Sequence, residues 1–437
     1  MWTDTTTLPP SWRFAPLRTV ASPTRQWRPA SEPRETIRYV DVSAISRELA
    51  RIESSELLRA EDAPSRARKI LEKDDVLYAT VRPTLRRIAL VDDADEMLIG
   101  STAFCVVRAD SEKAFPRFLY YAMRSDPFNK EVALHESGAS YPAVRDHHVL
   151  DATIPLPPLK EQHRIAAILS KVQRAIEVQE QLVATVRDLK QAAMRELFTR
   201  GLRGEAQKET DYGSIPASWR TSPLGSCATV QTGVTKGRQI PPDQAIVVPY
   251  LRVANVQDGH LDLREMKSIT IRRDELGSYL LRDGDVVLTE GGDFDKLGRG
   301  FIWRGEVQDC VHQNHVFAVR ADRSQLLPEF LAYLVQSPYG RAYFLTVAHK
   351  TTNLACINST KLKALPVPLP GLTEQQDIAS ALHTIDRKLA HHERKRDTLQ
   401  DLFKTLLHEL MTGRIRVHEL ELDITEPTAG LTGGEAA

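Results

Sequence analysis

Two stretches of the chain carry apolar residues at alternating spacings of three and four. In the first these are Leu169, Val172, Ile176, Val183, Val186, Ala193 and Leu197; in the second they are Leu382, Ile385, Leu389, Leu399, Leu406 and Leu410. That spacing marks one face of an α-helix, and neither stretch meets a glycine or proline before Gly201 or Gly413. Proline clusters ending at Pro158 and Pro370 block helix further upstream. Each stretch therefore predicts a helix of nearly 40 residues, about 55–60 Å long at ~1.5 Å per residue. Thr373-Glu374-Gln375-Gln376 has the spacing of a capping box, whereas Lys160 occupies the matching place in the first stretch. A seam sustained over four or more heptads points to a coiled coil, so the two helices are expected to pack on each other. Gln179 and His392 interrupt the seam at one register, where a buried polar site fixes alignment. The rival reading packs each helix only on its own neighbouring globular domain.

The segments between these helices follow a different pattern. Val76-Leu77-Tyr78-Ala79-Thr80 and Val286-Val287-Leu288-Thr289 follow aspartate-rich turns and predict equivalent strands, as do Ala103–Val107 and Val316–Val319. Helices are expected to open at Pro116 and Pro328. The equivalences extend along the whole chain. Pro155-Leu-Pro-Pro-Leu-Lys-Glu161-Gln162 recurs as Pro368-Leu-Pro-Gly-Leu-Thr-Glu374-Gln375, Pro9-Pro-Ser-Trp12-Arg13 as Pro216-Ala-Ser-Trp219-Arg220, and Arg108-Ala-Asp110 as Arg320-Ala-Asp322. The chain is written twice. The predicted architecture is mixed α/β: globular domains at 1–154 and 205–365, long helices within 155–204 and 366–420, and a disordered acidic, glycine-containing tail at 421–437.

Composition narrows the function. The 58 basic and 58 acidic side chains cancel, which excludes a uniformly cationic protein but not a local basic face. Cys105, Cys227, Cys310 and Cys356 form no CxxC pair and read as thiols in a reducing compartment. No secretory leader or membrane-length apolar run is expected, which predicts a soluble, cytoplasmic protein. There is no phosphate-cradling GxxxxGK[ST], no HExxH and no Asn-Pro-Pro-aromatic run of the adenine methyltransferase type. Gly233-Val-Thr-Lys-Gly237 is wrongly spaced for a phosphate loop and reads as a turn. The expectation is a chain with no catalytic centre and no cofactor of its own. Glu290-Gly-Gly-Asp293-Phe-Asp295-Lys296 offers a rival, a degenerate nuclease site. Its counterpart Thr80-Val-Arg82-Pro83 has no carboxylate, and a loop whose chemistry changes while its place stays fixed suits recognition better.

Candidate DNA contacts fall on three loop regions. Arg82, Arg86 and Arg87 follow the first strand, and Glu290, Lys296 and Arg299 follow its equivalent. Arginine reads guanine bidentately, lysine neutralises phosphate, and a carboxylate accepts from the cytosine amino group. Gln313 and His315 flank Asn314, and amide groups suit adenine edges. Ser140 and Tyr141, with Lys350, Thr351, Thr352 and Asn353 in the equivalent loop, suit phosphate oxygens.

At the repeated Pro-Leu-Pro-x-Leu-x-Glu-Gln signature and its long helix, the chain resembles the specificity subunit of Type I restriction-modification systems. Lys208 to Trp219 looks like that family's opening to a second target-recognition domain, and Thr351 to Pro366 like its approach to the distal helix. The resemblance implies two target-recognition domains on the two halves of an interrupted, asymmetric site in double-stranded DNA. Antiparallel helices would space them, giving a pseudo-twofold internal repeat. It also implies two modification subunits carrying S-adenosylmethionine, and restriction subunits using ATP and magnesium, as partners, with no membrane. A rod of ~57 Å spans roughly 17 base pairs at ~3.4 Å per step. A related alternative is a DNA-binding scaffold of another methylation or defence system.

Overall fold

A computed structural model of the chain describes residues 8–292, 297–350 and 355–417. The chain forms two compact units, one from Met1–Gln181 with Glu393–Ala437, the other from Leu182–His392.

The first unit is built on two four-stranded sheets. One runs, in spatial order, Ala21–Ser22, Phe104–Ala109, Val76–Ala79, Ile88–Leu90, all antiparallel. The other runs Glu56–Arg59, Thr36–Val40, Leu98–Ser101, Ala67–Ile70, with its middle pair parallel. Val76–Ala79 is buried at every position because it has a core on each face. Val76 and Tyr78 join Phe118 and Phe128 in the helix-side core, while Leu77 and Ala79 join Phe104, Val40 and Ile45 in the core toward the second sheet. Period-two side-chain geometry thus produces a continuous apolar run.

The second unit repeats this plan. Its main sheet runs Ala228–Thr232, Val316–Ala321, Val286–Thr289, Gly300–Ile302, and a smaller sheet holds Lys267–Arg272, Ala245–Leu251 and Val311–His312. Val286 and Leu288 face the helix-side core, and Val287 faces the other. The repeated Arg-Ala-Asp has a structural task. Arg108 clamps buried Asp75 with two bonds of 2.9 Å, and Arg320 clamps Asp285 at 2.8 and 2.7 Å, each fastening one strand to the turn before the next. The helices expected at Pro116 and Pro328 are Pro116–Arg124 and Pro328–Gln336.

The long helices are Leu159–Arg200, of 42 residues, and Leu372–Met411, of 40. Each gives one half to each unit. In the first unit Leu169 and Ile176 from the proximal helix share a core with Leu410 of the distal helix, with Val172, Leu399 and Leu406 at its margin. In the second unit Leu382 is in the core with Met194 and Phe198, and Leu197 and Ile385 line its edge. In both units the start of one helix lies against the end of the other, so the pairing is antiparallel. Val183 and Val186 are also buried, as is Gln179, and Leu389 and His392 are half-buried.

The helix starts differ from expectation. The distal helix opens at Leu372, so Thr373 lies inside the first turn and is not the cap. The Glu-Gln pair has other work. Gln162, fully buried, accepts from the Phe115 N–H at 2.8 Å and donates to the carbonyls of Lys113 at 3.2 Å and Pro157 at 2.9 Å. Gln375 repeats this on Leu327, Gln325 and Pro370 at 2.8, 2.9 and 3.0 Å. Glu161 accepts from Trp12 Nε1 at 2.9 Å and from Arg416 at 2.9 and 3.2 Å. The end of the distal helix is thereby tied to the start of the proximal one.

Candidate nucleic-acid interface

In the first unit the chain leaves strand Val76–Ala79 and turns sharply. Arg82 and Arg86 bracket the 3-10 turn Pro83–Leu85, and both hold a φ of 50°, a left-handed conformation unusual for a side chain with a Cβ. The loop Ser137–Ala143 lies against this turn. Val81 bridges Ala143, the Arg82 N–H donates to Pro142 O at 2.7 Å, and the Val144 N–H donates to Thr80 O at 2.9 Å. The result brings Arg82 and Tyr141 together, with the guanidinium carbon 5.4 Å from the ring centroid. Tyr141 is 73% exposed, and Arg82 and Ser140 are exposed beside it. A guanidinium stacked on an exposed ring is preorganised to meet phosphate or a guanine edge.

The other two arginines are placed elsewhere. Arg86 pairs with Asp126, and Arg87 donates to the carbonyls of Val42, Ser43 and Ile45, bracing that turn. Their guanidinium groups are engaged within the fold.

In the second unit the equivalent loop is again laid against its neighbour. Gly291–Gly292 pairs with Ala355–Cys356, which pairs in turn with His349–Lys350. A Cβ on Gly291 would stand 2.8 Å from Ala355 O, so glycine is what permits this approach. The Glu290 N–H donates to His315 O at 2.9 Å, and the two side chains meet, with His315 Nδ1 2.5 Å from Glu290 Oε2. Asn314 Nδ2 is 3.5 Å from His315 Nε2. Glu290, Asn314 and His315 therefore form one polar group of donors and acceptors suited to base edges, with the Gln313 backbone at its root. Arg299 is half-buried, and its carbonyl accepts from the Thr289 N–H at 2.8 Å. Lys296, Thr351, Thr352 and Asn353, with Asp293 and Asp295 of the nuclease alternative and the 421–437 tail, lie outside the described residues. Lys350 is placed only as a strand position.

Lys236 lies on a neighbouring segment whose tie to this group nothing in the sequence marks. The Gly233–Gly237 segment, expected to be a turn, instead has a bridge at Val234 and a bend at Lys236, which gives it a fixed address. Val234 bridges Gln313, and a Cβ on Gly233 would lie 2.0 Å from His312 O. Lys236 stands two residues on, its ammonium 5.4 Å from the Tyr250 ring centroid. Behind this group His312 is fully buried, its Nδ1 2.6 Å from Val316 O, and burial holds its imidazole pKa below the ordinary value. Among the described residues no group of three or more His, Cys, Asp or Glu is arranged to hold a metal ion, and no helix is long and apolar enough to cross a membrane.

The chain matches the family model for the Type I restriction modification DNA specificity domain over residues 58–187 and 216–401. It is 27% identical over 312 residues to the Type I restriction enzyme MjaVIII specificity subunit of Methanocaldococcus jannaschii, covering 69% of this chain and 71% of that protein. It is 25% identical over 214 residues to the MjaX specificity subunit of the same organism, there given as putative, covering 48% of this chain and 50% of that one. The chain thus spans from half to seven tenths of the length of these two relatives. Among solved structures it is similar to a chain from work on complex assembly and conformational transition of the type I R-M system, with 28% identity and a TM-score of 0.57. That match covers 94% of this chain and 100% of the other.

Proposed function

The chain belongs to the family of Type I restriction-modification DNA specificity subunits, and from that premise we propose that its two units read the two halves of one interrupted DNA site. The observation that carries this is the duplicated presentation of unlike chemistry. At the same strand end, Arg82 meets Tyr141 of the bracing loop in one unit, and Glu290 meets Asn314 and His315 of the turn before strand Val316–Ala321 in the other. Equal scaffolds with different readers are what an asymmetric bipartite site requires. The paired helices act as the spacer, and their outer faces dock two modification subunits, which bring S-adenosylmethionine. Restriction subunits using ATP and magnesium complete the assembly. This chain supplies specificity and no catalysis.

The experiment is co-expression with the adenine methyltransferase partner followed by methylome sequencing. The expected motif has two short specific elements around an unread spacer, and a single continuous motif would overturn the proposal. Because each unit holds half of both helices, a ruler test needs matched insertions, one turn at Gln181–Leu182 and one at His392–Glu393. The spacer should lengthen with both half-site sequences kept. Changed half-sites would sink the ruler.

A further inference from the structure

The loop that carries Ser140 and Tyr141 is held at its stem by three histidines. His135 follows helix Asp126–Ala133, and His147 and His148 lie on helix Asp146–Asp151. The His135 and His148 rings stack at a centroid separation of 4.6 Å and an angle of 19°, and His147 meets His148 edge-on at 4.1 Å. His135 and His147 are exposed and His148 is half-buried. His148 Nδ1 accepts the Arg145 N–H at 3.2 Å, which closes the stem and leaves Nε2 as its outward nitrogen.

The charges around the cluster set its behaviour. Arg145 is exposed on the same stem. Asp146 is held by Lys69 at 2.7 Å, and Asp151 is paired with Arg18 from the segment Leu17–Val20. Glu131, on the helix before His135, accepts from the Thr153 N–H and hydroxyl at 3.1 Å. Arg108, on strand Phe104–Ala109, is bound to Asp75 and Glu72. Lys130 and Glu136 flank this group, one of each sign. The aspartates nearest the imidazoles thus have other partners. Two imidazolium rings at this separation repel by about 1 kcal/mol even in water, and burial with the neighbouring cations lowers the His148 pKa. An anion seated beside the rings would offset that repulsion. The rings stack instead of converging on a point, which does not suit a metal.

We propose that His135, His147 and His148 form a proton-linked contact to the DNA backbone, taking up protons as phosphate arrives beside the Arg82–Tyr141 loop. This rests on the DNA-reading role above and adds a pH dependence confined to the first unit. A phosphate contact is independent of sequence, so a random-sequence duplex is a sufficient probe.

The test is fluorescence anisotropy with a labelled random 30-base-pair duplex at pH 7.5 and pH 6.0, using the full chain with its co-expressed methyltransferase. Net uptake of one proton makes binding about tenfold tighter per pH unit across the titration range. The expected result is about tenfold tighter binding at pH 6.0 than at pH 7.5. His135→Gln with His147→Gln should abolish most of that gain. The single exposed change His147→Gln carries the test if the double variant does not fold. At pH 6.0 the slope of log affinity against log salt should fall by about one for each imidazolium that no longer meets a phosphate. An unchanged pH response in the variants, or none in the parent, overturns the proton link alone. No duplex binding at either pH overturns the DNA-reading role itself.

Discussion

Replacing Gln162 tests whether the Glu-Gln signature is a clamp between globular unit and helix. Gln162→Ala deletes three hydrogen bonds from a fully buried side chain and strands the Phe115 N–H and the Lys113 and Pro157 carbonyls. At about 1 kcal/mol net per bond, the loss is roughly 3 kcal/mol. Urea unfolding followed by tryptophan fluorescence should show a midpoint lower by about 1 M, taking a slope near 3 kcal/mol per molar for a chain of this size. With two units one free energy does not describe the whole transition, so hydrogen exchange supplies the local readout. Protection should fall at residues 113–116 and at the first turns of the proximal helix. Gln162→Glu adds a sign test. One carboxylate oxygen still accepts from Phe115, but the other faces two carbonyls and must be protonated to donate. Its folded pKa is therefore raised, so its stabilisation is complete below the unfolded value near 4.3 and is lost as pH rises through the folded one. Gln162→Glu should be closest to the parent in acid and furthest from it at pH 7 and above. A Gln162→Ala loss below about 1 kcal/mol, or a Gln162→Glu variant that gains on the parent as pH rises, would refute the clamp.

Three further outcomes are expected from the fold. Gly413 has φ +69° and its added Cβ would meet Pro9 Cδ at 2.6 Å, whereas at Gly201, φ +64°, the near atom is a movable Glu374 oxygen at 2.9 Å; thermal melts should show Gly413→Ala losing more than Gly201→Ala, which loses about 1 kcal/mol. His312 is buried with a lowered pKa, so below about pH 6.5 the unfolded chain binds a proton that the folded one does not. Stability of the second unit should fall by up to about 1.4 kcal/mol per pH unit as pH drops through that range, and His312→Gln, compared by urea midpoints from pH 7.5 to 5.5, should flatten the dependence. Arg82→Ala should weaken DNA binding; a methylome motif relaxed at one base would mark a base contact, worth about 1–3 kcal/mol, and uniform weakening a phosphate contact.

The long helices, the duplication and the strands after the aspartate turns were legible because each is written locally, in periodicity or in repeated words. Side-chain partners were not. The three arginines after the first strand are alike in sequence, yet Arg87 holds backbone carbonyls, Arg86 holds Asp126 and only Arg82 stacks on Tyr141. Thr373 has the spacing of a cap, but the helix begins one residue earlier and Gln375 turns inward to fasten Leu327. Lys236 reads as part of a turn because nothing in the sequence ties Val234 to Gln313. The parallel pairing of Thr36–Val40 with Leu98–Ser101 joins strands far apart in the chain, a contact that no local pattern announces.

The most consequential feature hidden from the sequence is that in each unit the end of one long helix is fastened beside the start of the other. In the first unit the entry motif with Trp12, the helix start with Glu161 and the segment after the distal helix with Arg416 meet in one partly buried knot. In the second, Gly201 at the end of the proximal helix lies against Glu374, Pro216 and Trp219. The antiparallel strand pairs Arg13–Pro16 with Thr153–Leu156 and Arg220–Pro223 with Pro366–Leu369 complete each frame. None of these closing contacts uses Arg82, Tyr141, Glu290 or His315. The energy that holds the frame depends little on what the loops carry. That separation permits the same strand-end position to hold Arg82 in one copy and Glu290 in the other without loss of the fold. Exchanging residues 17–152 for the matching segment of a chain of different specificity should therefore leave the two helix segments of the first unit paired, provided the backbone groups that Phe115 and Lys113 present to Gln162 are kept.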